Sequence, residues 1–515
     1  MKTFGSFRQF ALDLMVVGAG PVGLMAACEA AKLGMTVRVV DKRSSRGTLS
    51  RAMIVHARTM EALDGLGLSE KLHENGQPLS ALNLDFGFGV QKKIEFSKLE
   101  WGDTKFPYWL NIPQYKTEII LEEKLNEFNV NVEWNNKLTG LLQEDDHVIF
   151  QTLSQSGEIS EGRSNWLLGC DGGNSTTREL SKIKFNRTSL NKEILLTDVT
   201  IEKNLPKNEG HVFFSSDGLS IILPTFSETR AFRAILQLNS STVRSHEPIT
   251  ARSFSNLFEK RTGMELSCQE IIWHSQLHLY EGLAETYRNN KVFILGDAAH
   301  VHSPVGGQGL NTGILDAHNL IWKLVYAKRL NKKNQKSILD SYEIERRPKA
   351  EKMVKITSLA TKIMTLRFFM FRFIRMKVAT AVLKTEFFKK RFARFVGLLE
   401  GVHPASLVAP PTTKKSSSLV GKRLPNIQLS NCSSLHDYLA KNKVTIIKFG
   451  KEEVHVINDM GRNVFNKSDS NTLKNNFGIF QSSILIVRPD HHILGEWKNL
   501  KEAQKQSIVR DILKF

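Results

Sequence analysis

A chain of 515 residues, 41% of them hydrophobic, is long enough for two or three domains with sizeable cores. Its 71 Lys and Arg outnumber 52 Asp and Glu, giving a net charge of +19; no nucleic-acid-binding motif accompanies that charge, so nucleic acid is not expected as a partner and the charge is read as solubility or attraction of an anionic cofactor. Cys28, Cys170, Cys268 and Cys432 form neither C-x-x-C nor zinc spacing, so no disulfide framework and no metal site are expected, and the cytoplasm is the expected compartment.

The N-terminal stretch MKTFGSFRQFALDLMVVGAG has few positive charges and no small-residue cleavage site, and reads as a first strand rather than a signal peptide. No run of eighteen apolar residues predicts a membrane-spanning helix. Leu12–Val17 is the strand; Gly18, Gly20 and Gly23 follow at G-x-G-x-x-G spacing, and Pro21–Leu33 is an Ala-rich helix that Gly34 ends. Met35–Val40 is a second strand, closed by Asp41 and Lys42. In this βαβ context Gly18 permits the tight turn, Gly20 lets backbone approach a pyrophosphate, and Gly23 lets the helix lie close to the strand. Pro21 opens that helix, and Asp41 is placed to accept from ribose hydroxyls. Arg43 and Arg46 either add phosphate contacts or are surface charges.

Arg51 begins a polar stretch that includes His56 and continues as a helix. Residues 75–115 and 185–280 carry short alternating runs that predict antiparallel strands. Trp109, Phe213, Phe214, Pro224, Phe226 and Phe232 are candidate substrate contacts there. Gln114 opens a helical segment, and the apolar Trp166–Leu168 leads into Asp171-Gly172 and Arg178. Lys291–Leu295 is a buried strand ending at Gly296-Asp297; a carboxylate at a strand's C-terminal end faces the ligand crevice of an open α/β sheet, although it can also cap the next helix. Pro304, Gly306, Gly307, Gly309, Leu310 and Asn311 form a loop with little bulk, followed by a helix over Thr312–Lys328. Two phosphate- or sugar-handling turns so far apart suggest one large dinucleotide held at both ends, and FAD is such a molecule. His300 and His302 lack the companions of a metal site and are read as shaping that pocket.

Taken together, the N-terminal G-x-G-x-x-G, Asp171-Gly172, Gly296-Asp297, the Arg51–Thr59 stretch, Gln114 and Tyr342–Pro348 resemble the class A flavoprotein monooxygenases, the family of para-hydroxybenzoate and phenol hydroxylases. The resemblance implies FAD as cofactor and NADPH or NADH as co-substrate. It places Asp297 on the ribityl chain, Arg51 near the pyrophosphate, Gln114 toward the adenine, and Asp171 and Arg178 between FAD and NAD(P)H. It also implies hydroxylation of a phenolic or polyketide-like aromatic by O2 through a C4a-hydroperoxyflavin. Epoxidation, Baeyer–Villiger insertion, antibiotic modification and a non-catalytic flavin-binding role are the alternatives. No catalytic base is assigned; His56 and Tyr115 carry too little to be named as one. The family has His-Pro-Pro where this chain has His302-Ser303-Pro304.

The expected fold is α/β: a Rossmann-like FAD-binding domain over 1–75, 110–185 and 282–360, with an inserted mixed β-sheet substrate domain over 76–109 and 186–281. A basic helical connector and linker spans 361–415. Residues 416–515 resemble the thioredoxin-like domain of phenol hydroxylase relatives but lack C-x-x-C, which leaves a structural or homodimer-contact role. Lys362–Arg394 holds ten Lys or Arg against Glu386 alone; it reads as a connector packed on the flavin domain in preference to a membrane-surface helix. The connector reading predicts no co-sedimentation with anionic vesicles at low salt, and binding there would assign the segment to a lipid surface.

Overall fold

The computed structural model describes residues 12–47, 50, 52–215, 218–225, 231–239, 249–303, 306–364, 369–403, 419–431, 433–439, 443–458 and 461–498. Arg51, Phe226, Pro304 and Cys432 lie outside the described residues. The N-terminal βαβ unit forms where expected. Leu12–Val17 pairs parallel with Val37–Val40 on one side and with Ile159–Gly169 on the other. Val292–Ile294 adds parallel to Ile159–Gly169, and Val132–Glu133 to Val37–Val40. The Pro21–Lys32 helix crosses between the first two strands, and Gly34, at a φ of 77°, turns the chain off its end. Parallel strands buried on both faces need continuous apolar runs, which LMVV and VFI supply.

A second sheet is almost wholly antiparallel. Its order runs His300–Val301, Cys268–Ala284, Phe185–Ile201, Ala231–Asn239, Gly218–Pro224, Glu209–Ser215, Ala81–Asp85 and Gln91–Glu95. Two distant stretches of sequence thus build one sheet, and its first strand comes directly from the Gly296-Asp297 segment. The Ala251–Thr262 helix covers one face through Phe254 and Phe258, which pack on Phe213, Phe232 and Leu236. From the other face Arg233 reaches the Ser50 carbonyl, which follows the N-terminal βαβ unit in the chain.

The basic segment divides. In the Glu386–Val396 helix, Ala393 and Val396 are buried and Phe388, Phe392 and Phe395 pack on the main core, as a connector should. In the Phe369–Val382 helix, Met376 packs with Phe86, Phe214 and Leu219, while Ile374, Val378 and Val382 face outward at helical spacing. No helix among the described residues is long and apolar enough to cross a membrane.

The C-terminal residues form a five-stranded sheet in the order Gly461–Val464, Val454–Asn458, Thr445–Phe449, Ser483–Val487, Ile493–Lys498, with the Lys467–Phe477 helix packed on it. Every described pairing in it is antiparallel, so the parallel βαβ half of a thioredoxin fold is not among the described elements. After Thr445–Phe449, where a thioredoxin carries its dithiol, the chain makes a Gly450–Glu453 turn into a hairpin.

This sheet is fastened to the rest of the molecule by buried charges. Arg488 donates to both oxygens of Glu345, at 2.7 and 2.8 Å, and to Asp490, at 3.0 and 2.6 Å. Lys323 also donates to Glu345, at 2.8 Å, and Asn319 bridges Glu345 and Asp490. A second lock joins Arg423 and Arg58 on Glu61, and Arg58 reaches the Asp490 carbonyl at 2.6 Å. His403, Asp490 and His492 cluster within 4.8 Å, but Arg488 holds both carboxylate oxygens of Asp490 and the Lys349 ammonium stands 3.3 Å from His403. The cluster is therefore a charge-compensated clamp. Removing one partner of such a clamp leaves charge buried and uncompensated. Arg488→Met is expected to lower unfolding free energy by about 3–5 kcal/mol in chemical denaturation; an unchanged midpoint would show that the two units are held together by something else.

Candidate FAD and substrate site

The parallel strands run in register, so their C-terminal ends lie side by side: Val17 pairs with Val40 and Gly169, and Gly169 with Ile294. Within three residues beyond those four ends come Gly18, Asp41, Asp171 and Gly296-Asp297. Every strand-end motif of the sequence thus opens onto one crevice, the ligand position of an open parallel sheet.

At the N-terminal turn the three glycines have separate duties. A Cβ on Gly18, whose φ is 103°, would sit 2.4 Å from the Cys170 carbonyl oxygen, and one on Gly23 would sit 1.9 Å from the Gly18 oxygen. Both are demanded by packing. A Cβ on Gly20 would meet no atom within 4 Å, at a φ of −76° that any residue adopts. That position is open on the side where the helix begins. Asp41 is buried and accepts from the Ala19 N–H at 2.7 Å, while Arg43 donates to it from backbone and guanidinium. Lys42 is exposed. Arg46 pairs with Glu122, and Gln114 donates to Glu118 at 2.9 Å.

The Gly296-Asp297 segment is fixed from behind. Asp316, fully buried on the Gln308–Ala327 helix, accepts from the Gly296 N–H at 3.1 Å, from His300 Nε2 at 2.7 Å and from Arg346 at 2.6 Å. Burial opposes ionisation of this carboxyl, but Arg346 and His300 hold it below its ordinary value. Asp297 itself is exposed between buried Gly296 and Ala298, beyond the strand end that borders the crevice. Neither Asp316 nor Arg346 was singled out from the sequence on its own account; the Tyr342–Pro348 motif was the available signal. Tyr342 donates to the Ile294 carbonyl at 2.9 Å, Glu343 accepts from the Tyr287 N–H, and Arg347 donates to the Ala284 carbonyl.

The glycine loop is shorter than the sequence suggests. Gly306 and Gly307 have φ of 84° and 64°, and the helix begins directly after them, at Gln308 rather than Thr312. Gly309, Leu310 and Asn311 are therefore its first turn. Asn311 clamps this end: its amide donates to the Ile54 and Gly307 carbonyls at 2.8 Å, and its oxygen accepts from the His56 N–H. His56 Nε2 donates to the Gly306 carbonyl at 3.0 Å, which leaves Nδ1 bare, buried and without a partner. His302 likewise donates from Nδ1 to the Ser303 carbonyl and leaves Nε2 bare. Gln308 Oε1 and Thr312 Oγ1, near the start of the helix, are also buried without partners.

Asp171 and Arg178 make their described contacts within the protein. Asp171 accepts from Ser175 and Thr177, capping a short helix. Arg178 donates to the Gly173 and Ala298 carbonyls, both at 2.9 Å, and so ties the two strand-end loops together. Among the candidate substrate aromatics, Phe213 and Phe232 belong to the sheet face under the Ala251–Thr262 helix. Trp109 stands edge-on to His56 with ring centroids 5.2 Å apart, and the Pro224 carbonyl accepts from Asn111. The Tyr115 backbone N–H donates to the Ser50 hydroxyl oxygen at 3.2 Å. The cavity beneath the sheet is lined instead by aliphatic residues together with Gln237, Ser303 and Thr361.

These features fit FAD: open backbone at Gly20, an outward carboxylate at Asp297, and four unpartnered buried polar atoms around the Gly306 end. Residues 11–357, more than half of the chain, match the family described as FAD binding domain, and the chain belongs to that family. Its class is that of the FAD-dependent aromatic monooxygenases, with FAD as cofactor. The 6-methylpretetramide 4-monooxygenase of Streptomyces rimosus is 31% identical over 361 residues, 69% of this chain and 62% of that protein, so the chain spans less than two thirds of that relative's length. A flavin-dependent monooxygenase of Mycobacteroides abscessus is 26% identical over 504 residues, 94% of this chain and 96% of its own. Among solved structures, the anhydrotetracycline hydroxylase of Streptomyces rimosus covers 97% of this chain and 98% of its own at 25% identity, with a TM-score of 0.74.

Two measurements follow from this geometry. Gly20→Ala should leave the stability of the flavin-free protein unchanged yet weaken FAD binding by about tenfold or more, because its Cβ fills the cofactor's approach; Gly23→Ala should destabilise the flavin-free protein itself. Equal effects of both on stability would contradict the division of roles. Burial pushes His56 and His302 down to about 4, whereas an unfolded histidine titrates near about 6.5. Between those values the unfolded chain binds more protons, so their contribution is complete above about pH 6.5 and is lost as pH falls toward about 4. Urea midpoints should decline over that window, and His302→Gln should flatten the decline; a slope unchanged by the substitution would contradict it.

Proposed function

We propose that the chain transfers one oxygen atom from O2 to an aromatic, phenolic or polyketide-like ring, with NAD(P)H as the reductant. The relatives' names point to this substrate class. The observation that carries the reading is the crevice along the parallel strand ends, at whose rim Gly18, Asp41 and Gly296-Asp297 stand side by side. FAD, when bound, supplies hydride acceptance and oxygen activation. Gly18, Gly20 and Gly23 bring the backbone and the start of the Pro21–Lys32 helix to its pyrophosphate, Asp41 takes the adenosine ribose and Asp297 takes the ribityl chain. The first turn of the Gln308–Ala327 helix, from Gly306 and Gly307 onward, lies beside the isoalloxazine ring, where its dipole favours negative charge.

The protein's remaining task is to keep water out and the substrate ring still. His56 and His302, neutral and buried, add no positive charge beside the ring and offer bare acceptor nitrogens. The domain division of the sequence reading is retained: an FAD-binding domain over 1–75, 110–185 and 282–360, a substrate-covering sheet over 76–109 and 186–281, a connector over 361–415, and a bracing unit over 416–515. The free Cys28, Cys170 and Cys268 support a reducing, cytoplasmic setting.

The test is direct. The purified protein should carry a yellow flavin spectrum, NADPH or NADH should bleach it anaerobically, and a phenol from a panel should accelerate oxygen consumption with a hydroxylated product. Absence of bound flavin would overturn the cofactor assignment. Flavin that no nicotinamide reduces, with or without a phenol, would mark a binding protein in place of an enzyme.

A further inference from the structure

We propose that the outer face of the Phe369–Val382 helix docks on an anionic lipid surface, with Ile374 and Val378 entering the headgroup boundary and Lys377 and Lys384 meeting the acidic headgroups. Packing on the main core accounts for the Glu386–Val396 half of the basic segment. It does not account for this half, so the connector expected from the sequence is confined to the other.

The inner face of the helix is fully used. Met376 and Ala379, with Leu383 just past the helix end, pack with Phe86 and Phe214 of the antiparallel sheet. Successive helix positions turn by about 100°, so Ile374, Val378 and Ala381 project on the opposite side. All three are exposed, Ile374 at 50% and Val378 at 57%. A surface helix of a globular protein turns polar residues outward, but this one is apolar on both faces. Among its described side chains only Lys377 and Thr380 are polar. The apolar surface continues past the helix on both sides. Phe373 meets Phe88, at the tip of the hairpin between Ala81–Asp85 and Gln91–Glu95, edge to face with centroids 6.2 Å apart. Phe387, in the first turn of the next helix, is exposed as well. Large exposed side chains gathered in this way mark a surface that binds something.

The charge identifies the occupant. Lys362–Arg394 holds ten Lys or Arg against Glu386 alone, and Glu386 is held by Lys389 at 2.6 Å. The Lys377 ammonium lies 5.4 Å from the Phe373 ring centre, so its stem runs along the apolar surface while its charge stays at the edge. Lys384 and Arg391 are exposed. A second copy of the chain would press this basic face against its own like charges. An uncharged bilayer would take the apolar side chains and leave the cations without counter-charge. An anionic lipid surface satisfies both, and it is the surface on which a basic helix with apolar side chains lies flat. No helix among the described residues is long and apolar enough to cross the bilayer, so the contact is with its surface.

The test sediments the flavin-loaded protein with vesicles of phosphatidylcholine alone or with about 30% phosphatidylglycerol added. At low salt the native protein should bind the anionic vesicles at least about tenfold more tightly than the neutral ones, and salt at about 0.5 M should release it. Ile374→Asp combined with Val378→Asp should weaken that binding by about tenfold or more, with flavin content and thermal midpoint unchanged, because both side chains project away from the fold. Should that variant fail to fold, Lys377→Glu combined with Lys384→Glu leaves the apolar face intact and should abolish the preference for anionic vesicles. A native protein that binds neither vesicle, or binds both equally, would overturn the proposal, as would binding that survives these substitutions. A dimer in sedimentation velocity that Ile374→Asp with Val378→Asp dissolves would overturn it too, by giving the face to a second copy. None of these readouts involves flavin reduction or turnover, so the monooxygenase reading stands or falls separately.

Discussion

Two adjacent residues on one helix, Glu345 and Arg346, anchor the molecule in opposite directions. Arg346 reaches Asp316 and the Thr312 carbonyl, and through Asp316 it holds Gly296 and His300. Glu345 is the acceptor of Arg488 and Lys323 and fastens the C-terminal sheet. Successive helix positions point about 100° apart, so one short stretch of the Lys332–Met364 helix serves both interfaces. Each carboxylate is buried, and each is satisfied by guanidinium plus further donors. Partly satisfied, either cluster would be a liability; fully satisfied, it specifies one arrangement.

The functional consequence concerns rigidity at the crevice. The Gly296-Asp297 segment has few side chains of its own to hold it, and its position comes from Asp316 behind it and Arg178 beside it. The glycine turn is held by Asn311 and His56. His56 directly precedes the Ala57–Asp64 helix, whose Arg58 and Glu61 meet the C-terminal unit through Asp490 and Arg423. The C-terminal unit thereby braces a loop of the cofactor site without any dithiol, which gives it a structural purpose. Cofactor chemistry that depends on excluding water benefits from such a fixed frame.

The parallel sheet was legible in the sequence because its strands are short apolar runs closed by Gly or Asp, and each closure is a ligand-facing strand end. The alternating runs of 185–280 announced strands but not which face they present: Phe213 and Phe232 look like pocket residues, yet their parity turns them under a helix. The same parity argument applied to RAFRAILQL would have marked Arg233 and Gln237 as polar residues on the face away from that helix. Asp171 and Arg178 carried the family motif, and the local donors of Ser175 and Thr177 on the Asp171 carboxylate could be read from their spacing alone. The antiparallel pairing of the C-terminal strands could not be read, because strand and helix alternation does not encode strand direction. The start of the Gln308–Ala327 helix was missed because glycine weakens the helical signal where Gly309 in fact lies in the first turn.

The central claim is that one FAD lies along the strand ends with its flavin at Asp297 and Gly306. A crystal structure of the FAD complex tests it most directly, through the distance from the Asp297 carboxylate to the ribityl hydroxyls. The account predicts hydrogen-bond contact there, with the isoalloxazine ring beside Gly306 and Gly307 and the pyrophosphate at Gly20. A cofactor bound in the reverse sense, or one that leaves Asp297 out of contact, would contradict it.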